Sequence, residues 1–469
     1  MITFILNHKT IETDAPKGMT VLDFVRYQKQ LMGTKIGCRE GDCGACTVLI
    51  GELSNANDVI YRSMTSCLLP LANVQNKHVV TIEGINQTKD LTPVQQFMVE
   101  ESGTQCGFCT VGFVMSMTGF SLQNESVTEG SAIAAIDGNI CRCTGYKSIE
   151  RASKRLVDFL KGKEESQTAL AYAIDNQLVP SYFSNIKQRL QALNQEGKAT
   201  VKTAAKPLHF VGGGTDLYVQ KHDEMPHLDT HHLFDTSILR GVKLVNNWFE
   251  IGASATVSDL KNEPDINATF PRLQQHLKLV SSTPIRNMAT IAGNLVNASP
   301  IGDLTVFLLA LDARISLENE QGTTRELALK DFYKGYKMLD KTPDEILTSI
   351  RFRKPEINTH FNFEKVCKRA HLDIASVNSA IFLTTNQGVI MDARIAVGGV
   401  APIPFYLPKT SEFLKNKPIT EGSFLEANDV MQTEINPISD VRGSAAYKRL
   451  LAKQLLIAHF HVLFNQSTN

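Results

Sequence analysis

Eight of the chain's nine cysteines fall within its first 143 residues, in two sets whose spacing suits metal chemistry. Cys38, Cys43 and Cys46 stand in G-C-R-E-G-D-C-G-A-C, and Cys67 follows in T-S-C. C-x4-C-x2-C with one distant cysteine is the ligand spacing of plant-type [2Fe–2S] clusters. Four thiolates can hold two ferric ions bridged by two sulfides. Gly37, Gly41 and Gly44 let the backbone turn tightly and bring N–H groups near the sulfurs. A structural zinc site is the alternative, but zinc prefers paired C-x2-C units from two arms. The second set is Cys106, Cys109, Cys141 and Cys143, in Q-C-G-F-C-T-V-G and G-N-I-C-R-C-T-G-Y. A C-x2-C and a C-x-C separated by two helical segments can converge on one centre. Cys141 and Cys143 are too close to share a helical face, so a loop must present them. Alone, this set also suits zinc; beside the first it reads as a second [2Fe–2S] site.

A different chemistry is written in F-V-G-G-G-T-D-L-Y-V at 210–219. Consecutive glycines free backbone N–H groups to wrap a diphosphate. The spacing is not G-x-G-x-x-G, so it is no Rossmann fingerprint, and an ordinary tight loop is the plain alternative.

The elements that must position these residues can be read from periodicity. T-F-I-L at 3–6 predicts a short strand followed by a polar turn, and 20–30 has helical spacing. T-V-L-I at 47–50 and H-V-V-T-I-E-G-I at 78–85 read as strands. Thr92 and Pro93 predict a helix start, with Thr as cap and Pro at the first position. Further helices are expected over 112–120 and 146–160. The charged run from 161 to 168 predicts a solvated linker reaching about Val179. Beyond Pro180, short strands, glycine turns and helices alternate.

Length and composition bound the rest. At roughly 150 residues per domain, 469 residues suggest about three domains. Lys plus Arg and Asp plus Glu are both 48, which argues against a nucleic-acid or anionic-membrane partner. No basic leader precedes an apolar run at the start, and no stretch approaches about 18 continuous apolar residues. The expected location is the cytoplasm, where clustered cysteines ligate metals rather than form disulfides.

The two cysteine motifs, in this order, resemble the iron–sulfur half of the molybdenum hydroxylases, the xanthine dehydrogenase and aldehyde oxidase family. The glycine loop together with I-G-A-S-A-T-V-S-D-L, T-P-I-R-N-M-A-T-I-A-G-N-L-V-N-A-S-P-I-G-D-L and D-F-Y-K-G-Y resembles that family's FAD domain. The resemblance implies an α+β multidomain chain. A β-grasp ferredoxin-like domain would span 1–85, a helical [2Fe–2S] bundle 86–162 and a linker 163–179. A FAD domain of the vanillyl-alcohol-oxidase type would span 180–356, and an α+β C-terminal domain 357–469. It implies that Val211, Gly212, Gly213, Gly214, Thr215, Asp216 and Leu217 cradle the pyrophosphate of FAD. Thr290, Gly293, Asn294 and Asp303 would line the ribityl and diphosphate region, with a helix N-cap the alternative for Asp303. Leu347 would touch the adenine or flavin edge. Lys365 would lie by the flavin ring, unless it is a solvated surface lysine. Asp373 would lie where a nicotinamide approaches. Two departures stand out: L-K-L-V-S-S at 277–282 lacks the aromatic that some members stack on the flavin, and Ala292 replaces the first glycine of G-G-N.

By the same resemblance, the chain is the small subunit of a two-chain bacterial enzyme. The molybdenum cofactor would reside only in a large partner subunit, in a heterodimer or heterotetramer, where xanthine or hypoxanthine is hydroxylated. Electrons would pass to the helical-domain cluster, then to the ferredoxin-like cluster, then to FAD, and on to NAD as cosubstrate. No catalytic residue for purine hydroxylation is expected in this chain. The rivals are service to another N-heterocycle or an aldehyde, oxygen as acceptor, or a zinc-stabilised non-catalytic scaffold. Cys367 is expected to be a buried small hydrophobe, His231 and His232 a solvated turn, and Trp248 a packing residue. His371 has no assigned role.

Overall fold

The computed structural model of the chain describes residues 1–54, 56–123, 126–196, 209–369 and 372–464; His371 lies outside them. The chain forms two compact units, Met1–His232 with Ser282–Met288, and Leu233–Ser281 with Ala289–Asn469. It is mixed α+β throughout, and no helix among the described residues is long and apolar enough to cross a membrane.

The first unit opens with a five-stranded sheet in the order Lys9–Thr13, Ile2–Leu6, His78–Val80, Thr47–Leu53, Val59–Thr65. Ile2–Leu6 runs parallel to His78–Val80 and all other neighbours are antiparallel, which is the β-grasp arrangement. The polar turn after the first strand is a hairpin turn with Asn7 at φ +53°, and it returns as a strand that the sequence did not announce. The run 78–85 is a strand only to Val80. The Asn7 Oδ1 accepts from the Thr81 N–H at 2.9 Å and ends the ladder, and Ile82–Ile85 forms one helical turn.

Helices Pro93–Glu100, Thr110–Ser121, Glu129–Ala135 and Lys147–Leu160 follow. The first carries the expected cap: Thr92 Oγ1 accepts from Gln95 N–H at 3.3 Å while Gln95 Oε1 accepts from Thr92 N–H at 2.9 Å. Thr110–Ser121 is buried over nearly its whole circumference and forms the axis of the bundle. The stretch 163–179 is not a solvated linker. It contains helix Ala169–Asp175, and Tyr172, Ala173, Leu178 and Val179 enter the helical core. The charged residues that suggested solvent exposure end at 165, and the apolar residues after them find a surface to cover.

Nor does the β-grasp part end before 180. Phe183 lies 5.4 Å from the Tyr61 ring and 5.3 Å from His78, and Ile186 and Leu190 pack with Ile5. His78 is held neutral here. Its Nε2 must donate to the Asn7 carbonyl oxygen at 2.9 Å, which leaves Nδ1 to accept from the Tyr61 hydroxyl at 2.8 Å. Burial therefore depresses its pKa to about 3. His459, in the second unit, is likewise lowered to about 3 by burial. The unfolded chain binds these protons near pH 6.5 and the folded chain does not. Stability is therefore full above that pH and falls as pH drops from 6.5 towards 3, by about 1.4 kcal/mol per pH unit for each histidine. Urea midpoints at pH 7.0 and 5.0 check this; an unchanged midpoint would contradict it.

The second unit has two antiparallel sheets. One runs Thr324–Ala328, Arg314–Glu318, Ile346–Arg353, Trp248–Gly252, Val242–Val245. Its core includes Phe249, Ile251, Ile315, Leu317, Ile350 and Phe352, with helix Asp303–Ala310, in which Leu304 to Ala310 are all buried. The other is a meander of Thr359–Val366, Val377–Asn386, Val389–Gly398 and Phe405–Tyr406. Its central strand reads N-S-A-I-F-L without polar alternation because both faces are covered. Ala380 and Phe382 join the first core, while Ile381 and Leu383 face the helices Pro408–Leu414, Glu421–Glu434 and Ala445–Phe464. Trp248 is a packing residue with charged neighbours: the guanidinium carbons of Arg351 and Arg353 lie 4.9 and 5.3 Å from its ring centre.

Candidate functional site

The hairpin of Thr47–Leu53 with Val59–Thr65 places the first set of thiols. Thr47 pairs with Thr65, so Cys46 before one strand and Cys67 after the other meet at its open end. The Cys46 and Cys67 thiols adjoin and perturb one another, as do those of Cys38 and Cys43 in the loop before the hairpin. Cys38 Sγ also accepts the N–H groups of Glu40 at 3.3 Å and Cys43 at 3.4 Å. The Cys38 pKa falls to about 5, chiefly because its sulfur accepts from the Cys43 thiol, which is pushed up in turn. A Cβ on Gly37 would lie 2.6 Å from Cys43 Sγ, so the glycine leaves the room the sulfur occupies.

Cys109 sits immediately before helix Thr110–Ser121, and Cys141 and Cys143 lie on the loop before Lys147–Leu160. Cys106 and Cys143 sulfurs are 3.7 Å apart, and the Cys109 thiol adjoins that of Cys141. Cys141 Sγ accepts the N–H groups of Cys143 and Thr144, both at 3.4 Å. Burial, followed by the bond to Cys141, raises the Cys109 thiol to about 12. Each set thus consists of two sulfur pairs. Among the described residues no three Cys, His, Asp or Glu side chains close on one ion. Four thiols arranged as two pairs would suit a two-iron centre better than a single tetrahedral zinc. The donor sets present therefore fit two [2Fe–2S] clusters.

The two cysteine loops touch. Ile140 N–H donates to the Cys43 carbonyl at 3.1 Å, and Asn139 Nδ2 donates to the Gly44 carbonyl at 3.1 Å. Asn139 Oδ1 accepts from the buried Ser116 hydroxyl at 2.8 Å. Gly44 has φ +66°, and a Cβ there would lie 2.3 Å from the Gly138 carbonyl. Only glycine permits this approach. Asn139 is a site residue that sequence reasoning missed; the available signal was a polar residue two positions before Cys141, and it is 6 % exposed in the structure.

The glycine loop, 211–217, belongs to the first unit and links strand His209–Val211 to helix Leu217–Lys221. The strand pairs in parallel with Thr230–His232. His231 and His232 therefore form a strand, not a solvated turn, and His232 bonds Thr230 Oγ1 at 2.9 Å and Asn73 Oδ1 at 3.1 Å. Asn73 Nδ2 donates to the Gly212 carbonyl at 3.0 Å and fixes the loop from below. Gly214 has φ +82°. Among the described residues the backbone N–H groups of Gly213, Gly214 and Thr215 donate to no protein acceptor. Three free donors in a row fit a diphosphate. Asp216, just before the helix, accepts from Gln220 Nε2.

In the second unit, Thr290 caps helix Ile291–Val296 by accepting the Gly293 N–H at 3.2 Å. Asn294 Oδ1 accepts from Thr305 Oγ1 at 3.3 Å. Asp303 is the first residue of its helix, and Gly302 is the cap, so the N-cap alternative does not hold. Lys365 is no solvated lysine. Its side chain is 1 % exposed, and its Nζ donates to Asp303 Oδ2 at 2.7 Å and to the Leu279 carbonyl at 2.9 Å. Asn378, missed by sequence reasoning, donates to Asp303 Oδ1 at 2.6 Å. Leu347 pairs with Leu317 across the sheet and is 3 % exposed in the core, so its side chain packs there rather than lining an open site. The Asp373 carboxylate accepts from Arg369 N–H at 2.7 Å and Arg369 Nε at 2.5 Å. Cys367 is only partly buried and donates to the Arg369 carbonyl at 3.0 Å.

Comparison with known proteins covers the same segments. The 2Fe-2S iron-sulfur cluster binding domain model matches 4–71 and the [2Fe-2S] binding domain model matches 81–154. The FAD binding domain in molybdopterin dehydrogenase matches 185–355, and the CO dehydrogenase flavoprotein C-terminal domain matches 363–462. Xanthine dehydrogenase of Emericella nidulans is 28% identical over 99% of this chain, and so is xanthine dehydrogenase 1 of Arabidopsis thaliana. The chain spans 39% of the length of each. Among solved structures, a carbon monoxide dehydrogenase chain from Hydrogenophaga pseudoflava shares the fold, with TM-score 0.52 and 24% identity, over 59% of this chain and 94% of that one. A chain of the reconstituted CO dehydrogenase from Oligotropha carboxidovorans has TM-score 0.50 and 26% identity, over 54% of this chain and 88% of that one. With domains for two [2Fe–2S] clusters and for FAD following one another along its length, the chain belongs to the molybdenum hydroxylase family, as an iron–sulfur and flavin component.

Proposed function

We propose that this chain is the electron relay of a xanthine-dehydrogenase-type enzyme, taking electrons released when a molybdopterin-binding partner hydroxylates hypoxanthine or xanthine and delivering them to NAD in the cytoplasm. The observation that carries the relay is the pair of four-thiol sets whose loops are hydrogen-bonded to one another, Ile140 N–H to Cys43 O at 3.1 Å. When bound, the clusters would exchange electrons singly while FAD would convert them to hydride chemistry. The purine substrate is supported by the xanthine dehydrogenases to which the chain is similar along 99% of its length.

The chain's own residues would serve as holders. Cys38, Cys43, Cys46 and Cys67 would ligate one cluster, and Cys106, Cys109, Cys141 and Cys143 the other. The N–H groups donated to Cys38 and Cys141 would stabilise thiolate charge and raise the potential of each centre. Residues 211–217 would take the FAD diphosphate. Thr290, Gly293, Asn294 and Asp303 would take its hydroxyls, and Lys365 would act on the flavin through the carboxylate it holds. The partner is expected to complete a heterodimer or heterotetramer.

Cofactor content tests the reading. Protein purified anaerobically after reconstitution should hold about four iron, four sulfide and one FAD per chain, as two such clusters and one flavin require. A colourless protein with stoichiometric zinc and no flavin would refute it.

A further inference from the structure

Ser282–Met288 belongs to the first unit, although the chain on both sides of it belongs to the second. What holds it is a buried ion pair. Arg286 Nη2 donates to Asp137 Oδ2 at 2.7 Å, and the two side chains are 2 % and 1 % exposed. The other carboxylate oxygen, Asp137 Oδ1, accepts the Thr283 N–H at 2.7 Å. Thr283 Oγ1 donates to the Ala134 carbonyl at 2.8 Å and accepts from Arg286 Nη2 at 2.7 Å. Asn287 Nδ2 donates to the Ser63 carbonyl at 2.8 Å.

The places touched are not arbitrary. Asp137 lies four residues before Cys141, and Pro284 packs on Gly138, where a Cβ would lie 2.8 Å from Pro284 Cδ. Ile285 packs on Gly41, inside the Cys38–Cys46 loop, where a Cβ would lie 2.7 Å from Ile285 Cδ1. Ser63 is on the strand that leads to Cys67. One short segment thus grips both cysteine loops at once. Burying two charges costs several kcal/mol each before pairing, so apolar packing alone would hold the segment at less cost. What an Arg–carboxylate pair supplies instead is a fixed distance and direction.

We infer that Ser282–Met288 is a clamp that sets the separation of the two cluster-bearing loops, and that Asp137 and Arg286 are its positioning residues. This rests on the relay reading above. Asp137 and Arg286 ligate nothing. They act on the clusters through Gly138, Asn139 and Ile140 on one side and Gly41 on the other. The separation they fix governs how fast electrons cross, because tunnelling falls steeply with distance.

The test is electron paramagnetic resonance of the full chain, reconstituted and fully reduced with dithionite, so that both cluster spins are present and their magnetic interaction is measurable. Arg286→Met should keep both cluster spins and lose the single well-defined interaction of the unsubstituted chain, while Arg286→Lys restores part of it. Because Arg286→Met strands a buried carboxylate, Asp137→Asn with Arg286→Met provides a variant with no unpaired charge and the same expected loss. An interaction unchanged in the double variant would overturn the clamp. So would outright loss of a cluster in that variant, since the pair would then belong to a cluster's own binding loop. An unsubstituted chain without two cluster spins would overturn the relay reading first, and the clamp with it.

Discussion

Cys43→Ser should remove one of the two [2Fe–2S] signals and leave the other and the flavin in place. The Cys43 thiol adjoins that of Cys38 and fills the space that Gly37 leaves open. A serine hydroxyl is shorter, harder and far less acidic than a thiol, so the centre that Cys38, Cys43, Cys46 and Cys67 would hold loses one of its four thiolates. The second centre should survive, because its contact with this loop runs through the Cys43 backbone carbonyl, which accepts from Ile140 N–H whatever the side chain is. The Asn139 bond to the Gly44 carbonyl is equally untouched. Iron should fall from about four to about two per chain, with one cluster spin remaining after reduction, as the loss of a single two-iron centre requires. Two undiminished cluster spins would show that Cys43 is not a ligand.

Lys365→Met should destabilise the second unit more than any surface substitution. The ammonium is 1 % exposed and the Asp303 carboxylate 13 %, so methionine leaves a largely buried charge with Asn378 as its one remaining strong donor. Breaking one side of a buried pair costs about 3–5 kcal/mol, and the Asn378 bond argues for the lower end. For a unit of this size that is a fall in Tm on the order of 6–12 °C. Lys365→Met with Asp303→Asn removes both charges and should recover most of the loss. Thermal unfolding of the three proteins decides it. A single variant within about 1 kcal/mol of the unsubstituted chain would mean that Lys365 is a peripheral cation, as typical surface substitutions behave.

Both expectations start from residues that the sequence made visible, but not equally. The cysteine sets were legible because ligand spacing is local and its chemistry is restrictive. So was the cap at Thr92, where Pro93 stands at the required offset; the Gln95 half of the capping box came only with the structure. Elements whose cause lies elsewhere in the chain were not. The stretch 163–179 looked solvated because its charged residues come first, while the surface that buries Tyr172 and Leu178 is supplied by distant helices. Phe183 looked like the start of a new domain, but the ring that receives it, Tyr61, is 122 positions earlier. Lys365 and Asp303 were each assigned to the cofactor from resemblance, yet their pairing across 62 positions was invisible. The same holds for Asp137 and Arg286, 149 positions apart, whose segments gave no local sign of a partner.

The most direct measurement is a visible absorbance spectrum of the purified chain, taken anaerobically before and after NADH is added. The relay predicts bands of oxidised flavin and [2Fe–2S] that bleach with NADH, as electrons run backwards from nicotinamide through FAD into both clusters. Bands that ignore NADH and bleach only with dithionite would contradict delivery to NAD while leaving the cofactors in place, and the absence of both bands would contradict the relay itself.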